Sequence, residues 1–229
     1  VTNAASYHGY DTLDYYSLDP DYGTEADFKR LIAAAQARGM RVIVDLVLNH
    51  TASGHQWFQF AQADPDSDFR DWYTFIPGDP IDFYGPWQQV VWHPANGGGH
   101  YFGLFDPTMP DLNYQNPDVT MQMQDVARFW LEEMGVDGFR LDAIRHLIEK
   151  EQAMSNTDLT HDWLAAFDNY LDTFGPDRCD PLSVAEARAK TLSLVAPLAV
   201  ETVALIDAHF QMVEQRRVET GTQAAGKWI

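Results

Sequence analysis

Three carboxylates in this chain stand at the ends of short apolar runs: Asp45 after Met40-Arg41-Val42-Ile43-Val44, Asp142 after Val136-Asp137-Gly138-Phe139-Arg140-Leu141, and Glu186 after Leu182-Ser183-Val184-Ala185. Alternate residues of a strand share a face, so Arg140 and Asp142 point one way while Phe139 and Leu141 point the other. A guanidinium beside a carboxylate favours its charged form, and a charged Asp cannot donate a proton but can attack carbon. The mostly apolar surroundings of Glu186 favour its protonated form and make it a proton donor. Two carboxyl groups tuned apart in this way are what glycoside hydrolysis requires, and a covalent, retaining route needs them about 5 Å apart. Taken singly, each acid also fits the plainer role of a strand-end residue capping a helix.

The elements that must position these acids repeat along the chain. Thr24 to Gly39 is an amphipathic helix, with Thr24 as cap, Glu25 and Asp27 in its first turn, apolar Phe28, Leu31, Ile32 and Ala35, and Gly39 as stop. The β-branched run Met40 to Val47 follows at once, as expected of a parallel strand buried on both faces. A second copy is the helix opened by Asn116-Pro117-Asp118 and running to Met134, then the strand Val136 to Asp142. A third has a helix from Thr160 to Phe174, capped by Thr160 or Asp162, and the strand Leu182 to Glu186. Helix then buried strand is the α/β repeat, and in α/β barrels the carboxyl ends of the strands form the active face.

Asp142 and Glu186 lie 44 residues apart, about one βα unit, whereas Asp45 and Asp142 lie 97 apart. The excess is an insert from Thr51 to Tyr114, rich in aromatics, Gly, Pro and Asp and without a sustained helical period. It reads as an irregular subdomain on the active face. The division is residues 1–50 as barrel, 51–114 as insert and 115–229 as barrel.

Composition narrows the partners. With 34 Asp+Glu against 15 Lys+Arg, the net charge of -19 argues against nucleic acid and anionic membrane surfaces, and leaves neutral substrates, cations and basic partners. The lone Cys179 excludes an intrachain disulfide. No apolar run approaches the roughly 18 residues of a membrane helix. There is no initiator Met, so the natural start and any targeting segment are expected upstream; a secreted or periplasmic location is favoured over a cytoplasmic one.

Four motifs carry a resemblance: Tyr7-His8-Gly9-Tyr10-Asp11, Asp45-Leu46-Val47-Leu48-Asn49-His50, Met109-Pro110-Asp111-Leu112-Asn113 and Gly138-Phe139-Arg140-Leu141-Asp142-Ala143-Ile144-Arg145-His146. In this order they resemble the α-amylase family, glycoside hydrolase family thirteen, from about Ser6 to Glu186. The resemblance implies a (β/α)8 TIM barrel, here incomplete, with the insert as domain B after the third barrel strand. It implies Asp142 as nucleophile, Glu186 as acid/base and Arg140 as support for the nucleophile. Tyr10 and His50 would hold the sugar in the cleaved subsite, Tyr10 by stacking and His50 by donating to a hydroxyl, with His8 and Asp45 as further substrate contacts. It also implies a Ca²⁺ that pins the insert to the barrel, held by Asn49, Asp111 and the backbone carbonyl of His146, all oxygen donors. The substrate class is an α-glucan or maltooligosaccharide. Arg145-His146 and the Met109 to Asn113 motif tilt the specificity toward α-amylase, away from α-glucosidase.

The resemblance has gaps. The family's further His-Asp pair does not follow Glu186, and Ile206-Asp207-Ala208-His209-Phe210 is only vaguely similar to it. Ala185 stands where the family has Gly. The first two strands and the last two or three are missing from the count. Three readings stay open: part of a retaining α-glucan hydrolase, an enzyme of the family with α-glucosidase, neopullulanase or transglycosylase specificity, or a non-catalytic carbohydrate-binding or partner-binding relative. Of Trp57, Trp72, Trp87 and Trp92, one or two are expected to contact substrate and the rest to fill the core of the insert. His55, His93 and His100 read as surface or loop residues, and His161-Asp162 as a cap.

Overall fold

The computed structural model describes residues 2–3, 6–80, 84–150, 154–155 and 157–174. Strands in chain order are β1 (Thr2–Asn3), β2 (Thr12–Asp14), β3 (Ile43–Val47), β4 (Phe75–Ile76), β5 (Trp92–Pro94), β6 (His100–Phe102), β7 (Gly138–Asp142), β8 (Glu149–Lys150) and β9 (Met154–Ser155). The helices are α1 (Glu25–Gln36), α2 (Gln56–Ala63), α3 (Pro117–Arg128) and α4 (Thr157–Leu171).

The central unit is β3 paired in parallel with β7, in the register Asp45 to Arg140 and Val47 to Asp142. Asp45 is therefore mid-strand and not its last residue, because the apolar run continues through Leu46 and Val47, both buried. The strand is also shorter at its start than the Met40 to Val47 run. There Asp137 intervenes: its carboxylate accepts from Val42 N at 2.8 Å and Arg41 Nη1 at 3.2 Å, and its own N–H donates to the Val42 carbonyl. Burial on both faces holds only for the carboxyl half; Ile43 is 57% exposed, since among the described residues β7 is the sole neighbour of β3.

The helix α1 starts on a capping box in which Thr24 and Asp27 satisfy each other's backbone, with acids at the positive end of the dipole. Gly39 follows the helix at φ 73°, a backbone shape that suits glycine. In α3 the residues Val119, Met123, Val126 and Ala127 recur on one buried stripe. The chain then widens into a π turn over Phe129–Glu133, which buries Trp130 against Phe28 of α1 and lets its indole N–H donate to the Tyr15 carbonyl at 2.7 Å. The last helix begins at Thr157, so Thr160 and His161-Asp162 lie inside it and do not cap it. Its inward stripe explains the earlier start: Thr160, Trp163, Phe167 and Leu171 are all buried. The strand Leu182 to Glu186 lies outside the described residues.

The insert is more regular than its composition indicates. Besides the antiparallel sheet β4-β6-β5 it contains α2, whose buried Phe58 and Ala61 share a face. Phe58, Trp72, Tyr73 and Tyr101 join the same core as the barrel helices, and a satellite of Val91, Trp92, Phe102 and Leu104 sits apart. The two ends of the insert zip together: Thr51 N donates to the Pro110 carbonyl, and Leu112 N to the Asn49 carbonyl. Among the described residues no helix is long and apolar enough to cross a membrane.

His55 and His93 are buried, contrary to the expectation of surface residues. His55 caps α2 by accepting from Trp57 N at Nδ1, 3.1 Å away, and His93 Nε2 pairs with the Gly103 carbonyl at 3.0 Å. Burial pushes the His55 pKa down to about 4. The unfolded chain, with His near 6.5, takes up the proton first, so stability is complete above about pH 6.5 and is lost as pH falls toward 4. Across that window His55 should contribute a loss of about 3 kcal/mol. His55→Asn keeps a cap acceptor without the titration, and denaturant unfolding from pH 7 to 4 should show a shallower decline than wild type; parallel curves would refute this role.

Candidate active site

Three charged side chains meet on the inner face of the strand pair. Arg140 Nη1 lies 2.6 Å from Asp45 Oδ2 and 2.8 Å from Asp142 Oδ1, so one nitrogen bridges two carboxylates on adjacent strands. The register produces this. Asp45 sits directly opposite Arg140, and Asp142 follows Arg140 by two on the same face. Burial works against the charge on Arg140, but the Asp45 hydrogen bond and the charges of both acids outweigh it and hold its pKa above the usual value. Burial raises the pKa of Asp45 despite the opposing pull of Arg140, with the nearby Asp142 adding to the rise. Immediately after β7, Ala143 turns the chain at φ 53°, a left-handed conformation rare for alanine.

The loop before α1 approaches the same cluster. Tyr10 OH is 3.5 Å from Arg140 Nη1, and the Tyr10 ring lies parallel to His8 at 6.0 Å. His8 is exposed and accepts from Tyr10 N at Nδ1. His50 is 2% exposed beneath Phe105, with Nε2 3.2 Å from the Tyr10 carbonyl. Burial pushes its pKa down to about 4, so at neutral pH it is an uncharged ring bracing the Tyr10 loop and not a donor facing open space. Asp11 was not foreseen as a site residue. It is buried here, accepts from Ser6 Oγ, and its charge acts on His50.

The proposed metal ligands fall at the junction of barrel and insert. Asn49 Nδ2 donates to Asp111 Oδ2 at 2.9 Å, and Leu104 N donates to Asp111 Oδ1 at 2.9 Å. Burial pushes the Asp111 pKa up to about 7 against the opposing pull of its hydrogen bonds from Leu104 N and Asn49. Asn49 Oδ1 is buried and has no hydrogen-bond partner among the described residues. His146 lies on the turn after β7, its ring 5.9 Å from that of Phe105. No cluster of three His, Cys, Asp or Glu able to hold a metal occurs among the described residues. A buried carboxylate and an amide oxygen are nonetheless donors a hard cation takes, so Asp111 and Asn49 fit Ca²⁺. Glu186 lies outside the described residues.

A cleft of about 500 Å³ runs beside Tyr10 and Asp45 along the edge of β3 that is unpaired among the described residues, lined also by Tyr22, Phe28, Leu31 and Val44. Its walls are mainly apolar, and Leu31 is 60% exposed.

The family model for the alpha amylase catalytic domain matches residues 1–228. The chain belongs to the α-amylase family. Alpha-amylase 3 of Dictyoglomus thermophilum is 39% identical over 76% of this chain and 32% of its own length. A 4-alpha-glucanotransferase of Thermotoga neapolitana is 43% identical over 64% of this chain and 33% of its own. Among solved structures, the alpha-amylase from H. orenii superposes with a TM-score of 0.68 at 39% identity, covering 76% of this chain and 35% of that one. The α-amylase-family chain described here thus spans about a third of the length of the relatives it matches. Its fold is an incomplete (β/α)8 barrel, and β3 with β7 is a neighbouring strand pair of it.

Proposed function

We propose that this chain carries the nucleophile side of a retaining glycoside hydrolase that cleaves α-1,4-glucosidic bonds in starch-type glucans. The observation that carries the reading is Arg140 Nη1 bridging Asp45 and Asp142 on the inner face of the strand pair, with Tyr10 above it.

In the first step an Asp142 oxygen attacks the anomeric carbon, forming a glycosyl ester as the glycosidic bond breaks and Glu186 gives its proton to the departing oxygen. In the second step Glu186 takes a proton from water, whose oxygen attacks the same carbon and releases Asp142. Arg140 holds the Asp142 carboxylate in one orientation, Asp45 steadies Arg140, and Tyr10 offers a ring face to the sugar with His8 beside it. His50 fixes the Tyr10 loop. Asn49, Asp111 and the His146 carbonyl would hold Ca²⁺, which would supply a charge partner for the buried Asp111 and tie the insert to the barrel.

A second reading, glucosyl transfer to another sugar in place of water, is favoured by the 43% identity to a 4-alpha-glucanotransferase. Reducing-sugar release from starch, pullulan and isomaltose by the full-length protein separates these readings. Starch hydrolysis supports the first, and disproportionation of maltooligosaccharides without net reducing ends supports the second. Glucose released from isomaltose alone contradicts both. Maltooligosaccharide binding without turnover makes the chain a non-catalytic relative.

A further inference from the structure

The fold sorts the four tryptophans of the insert. Trp72 and Trp92 are buried, and Trp57 packs between Tyr15 and Trp72. Trp87 is 64% exposed. An exposed indole is ordinary if it is loose, but this one is held. Gly85 N donates to the Gln89 carbonyl at 2.8 Å, Trp87 N to Gln89 Oε1 at 2.9 Å, and Gln89 Nε2 to the Leu104 carbonyl at 2.9 Å. Gln88, at φ 65°, takes a left-handed conformation that non-glycine residues adopt only where their surroundings impose it.

The direction of this turn gives it meaning. The Trp87 ring lies 5.8 Å from Phe105 and 6.3 Å from His146, and Phe105 lies 5.4 Å from His50. An aromatic wall therefore runs from His50, which braces the Tyr10 loop whose hydroxyl lies 3.5 Å from Arg140 Nη1, out to the exposed indole of Trp87 on the insert. Pyranose rings present apolar C–H faces, and a wide flat ring held in place binds one at little entropic cost.

We propose that Trp87 is the platform for a glucosyl unit neighbouring the one attacked by Asp142, and so sets the preference of the enzyme for chains over single sugars. This rests on the α-glucan reading above. What sets Trp87 apart from a loose surface tryptophan is that the turn holds its backbone while its ring lies against Phe105 and His146.

The test compares two substrates of the full-length protein: maltoheptaose, which fills neighbouring subsites, and α-glucosyl fluoride, which has no neighbouring sugar. For Trp87→Ala the ratio of kcat/KM on maltoheptaose to that on α-glucosyl fluoride should fall about tenfold, the size of one well-packed aromatic contact. Trp87→Phe, which keeps a ring face, should restore most of the ratio. A ratio unchanged in Trp87→Ala, or equal losses on both substrates, would overturn the platform while leaving the α-glucan reading intact. Wild-type protein that turns over neither substrate would overturn both.

Discussion

Asp142→Asn in the full-length protein is expected to lower maltooligosaccharide turnover by about four orders of magnitude or more. The amide has the size and shape of the carboxylate, so the loss would be chemical. A neutral oxygen cannot form the glycosyl ester, and the ion pair with Arg140 at 2.8 Å goes with it. Destabilisation is too small to account for such a loss. The Arg140 and Asp142 side chains are 39% and 22% exposed, and an ion pair open to solvent is worth about 1 kcal/mol or less. Thermal unfolding of the variant should therefore stay within a few degrees of wild type. Turnover within tenfold of wild type would remove Asp142 from the reaction.

The second large effect is expected at Arg140. Arg140→Gln leaves Asp45 and Asp142 facing each other with no cation between them, and kcat/KM should fall by about 10²- to 10³-fold, the cost of losing one preorganised charged donor. Arg140→Lys keeps the charge but offers a compact ammonium in place of the planar fork, so an intermediate activity is expected. That ordering separates charge from packing. If Gln and Lys are equally impaired, geometry and not charge is what the site takes from Arg140.

Much of this arrangement was legible because it is local. The alternation in Phe139-Arg140-Leu141-Asp142 puts Arg140 and Asp142 on one face, and they are found 2.8 Å apart. The capping pattern at Thr24 likewise marks the start of α1 within a residue. What escaped is set by distant partners. The pairing of Asp45 with Arg140 depends on a parallel register across 95 residues, and nothing near Asp45 encodes it. The start of α4 was missed because its inward stripe includes the polar Thr160, which reads as a cap until its burial is seen. The helix α2 is eight residues long and mostly aromatic or Gln, too short and too mixed to show a period. His55 and His93 look alike in sequence to exposed histidines, and only their carbonyl and amide partners explain their burial. The Asn49 and Asp111 pair came from family resemblance alone, since 62 residues separate them.

The central claim is that Asp142 forms a covalent bond to the sugar, and it can be read directly by mass. A fluorinated α-glucosyl fluoride that forms the glycosyl ester but hydrolyses slowly should add one fluoroglucosyl group to the full-length protein. Digestion should place the group on the peptide containing Asp142, and Asp142→Asn should take up none. A label on Asp45 or another residue, or no label in an enzyme that turns over glucans with inversion of configuration, would contradict it.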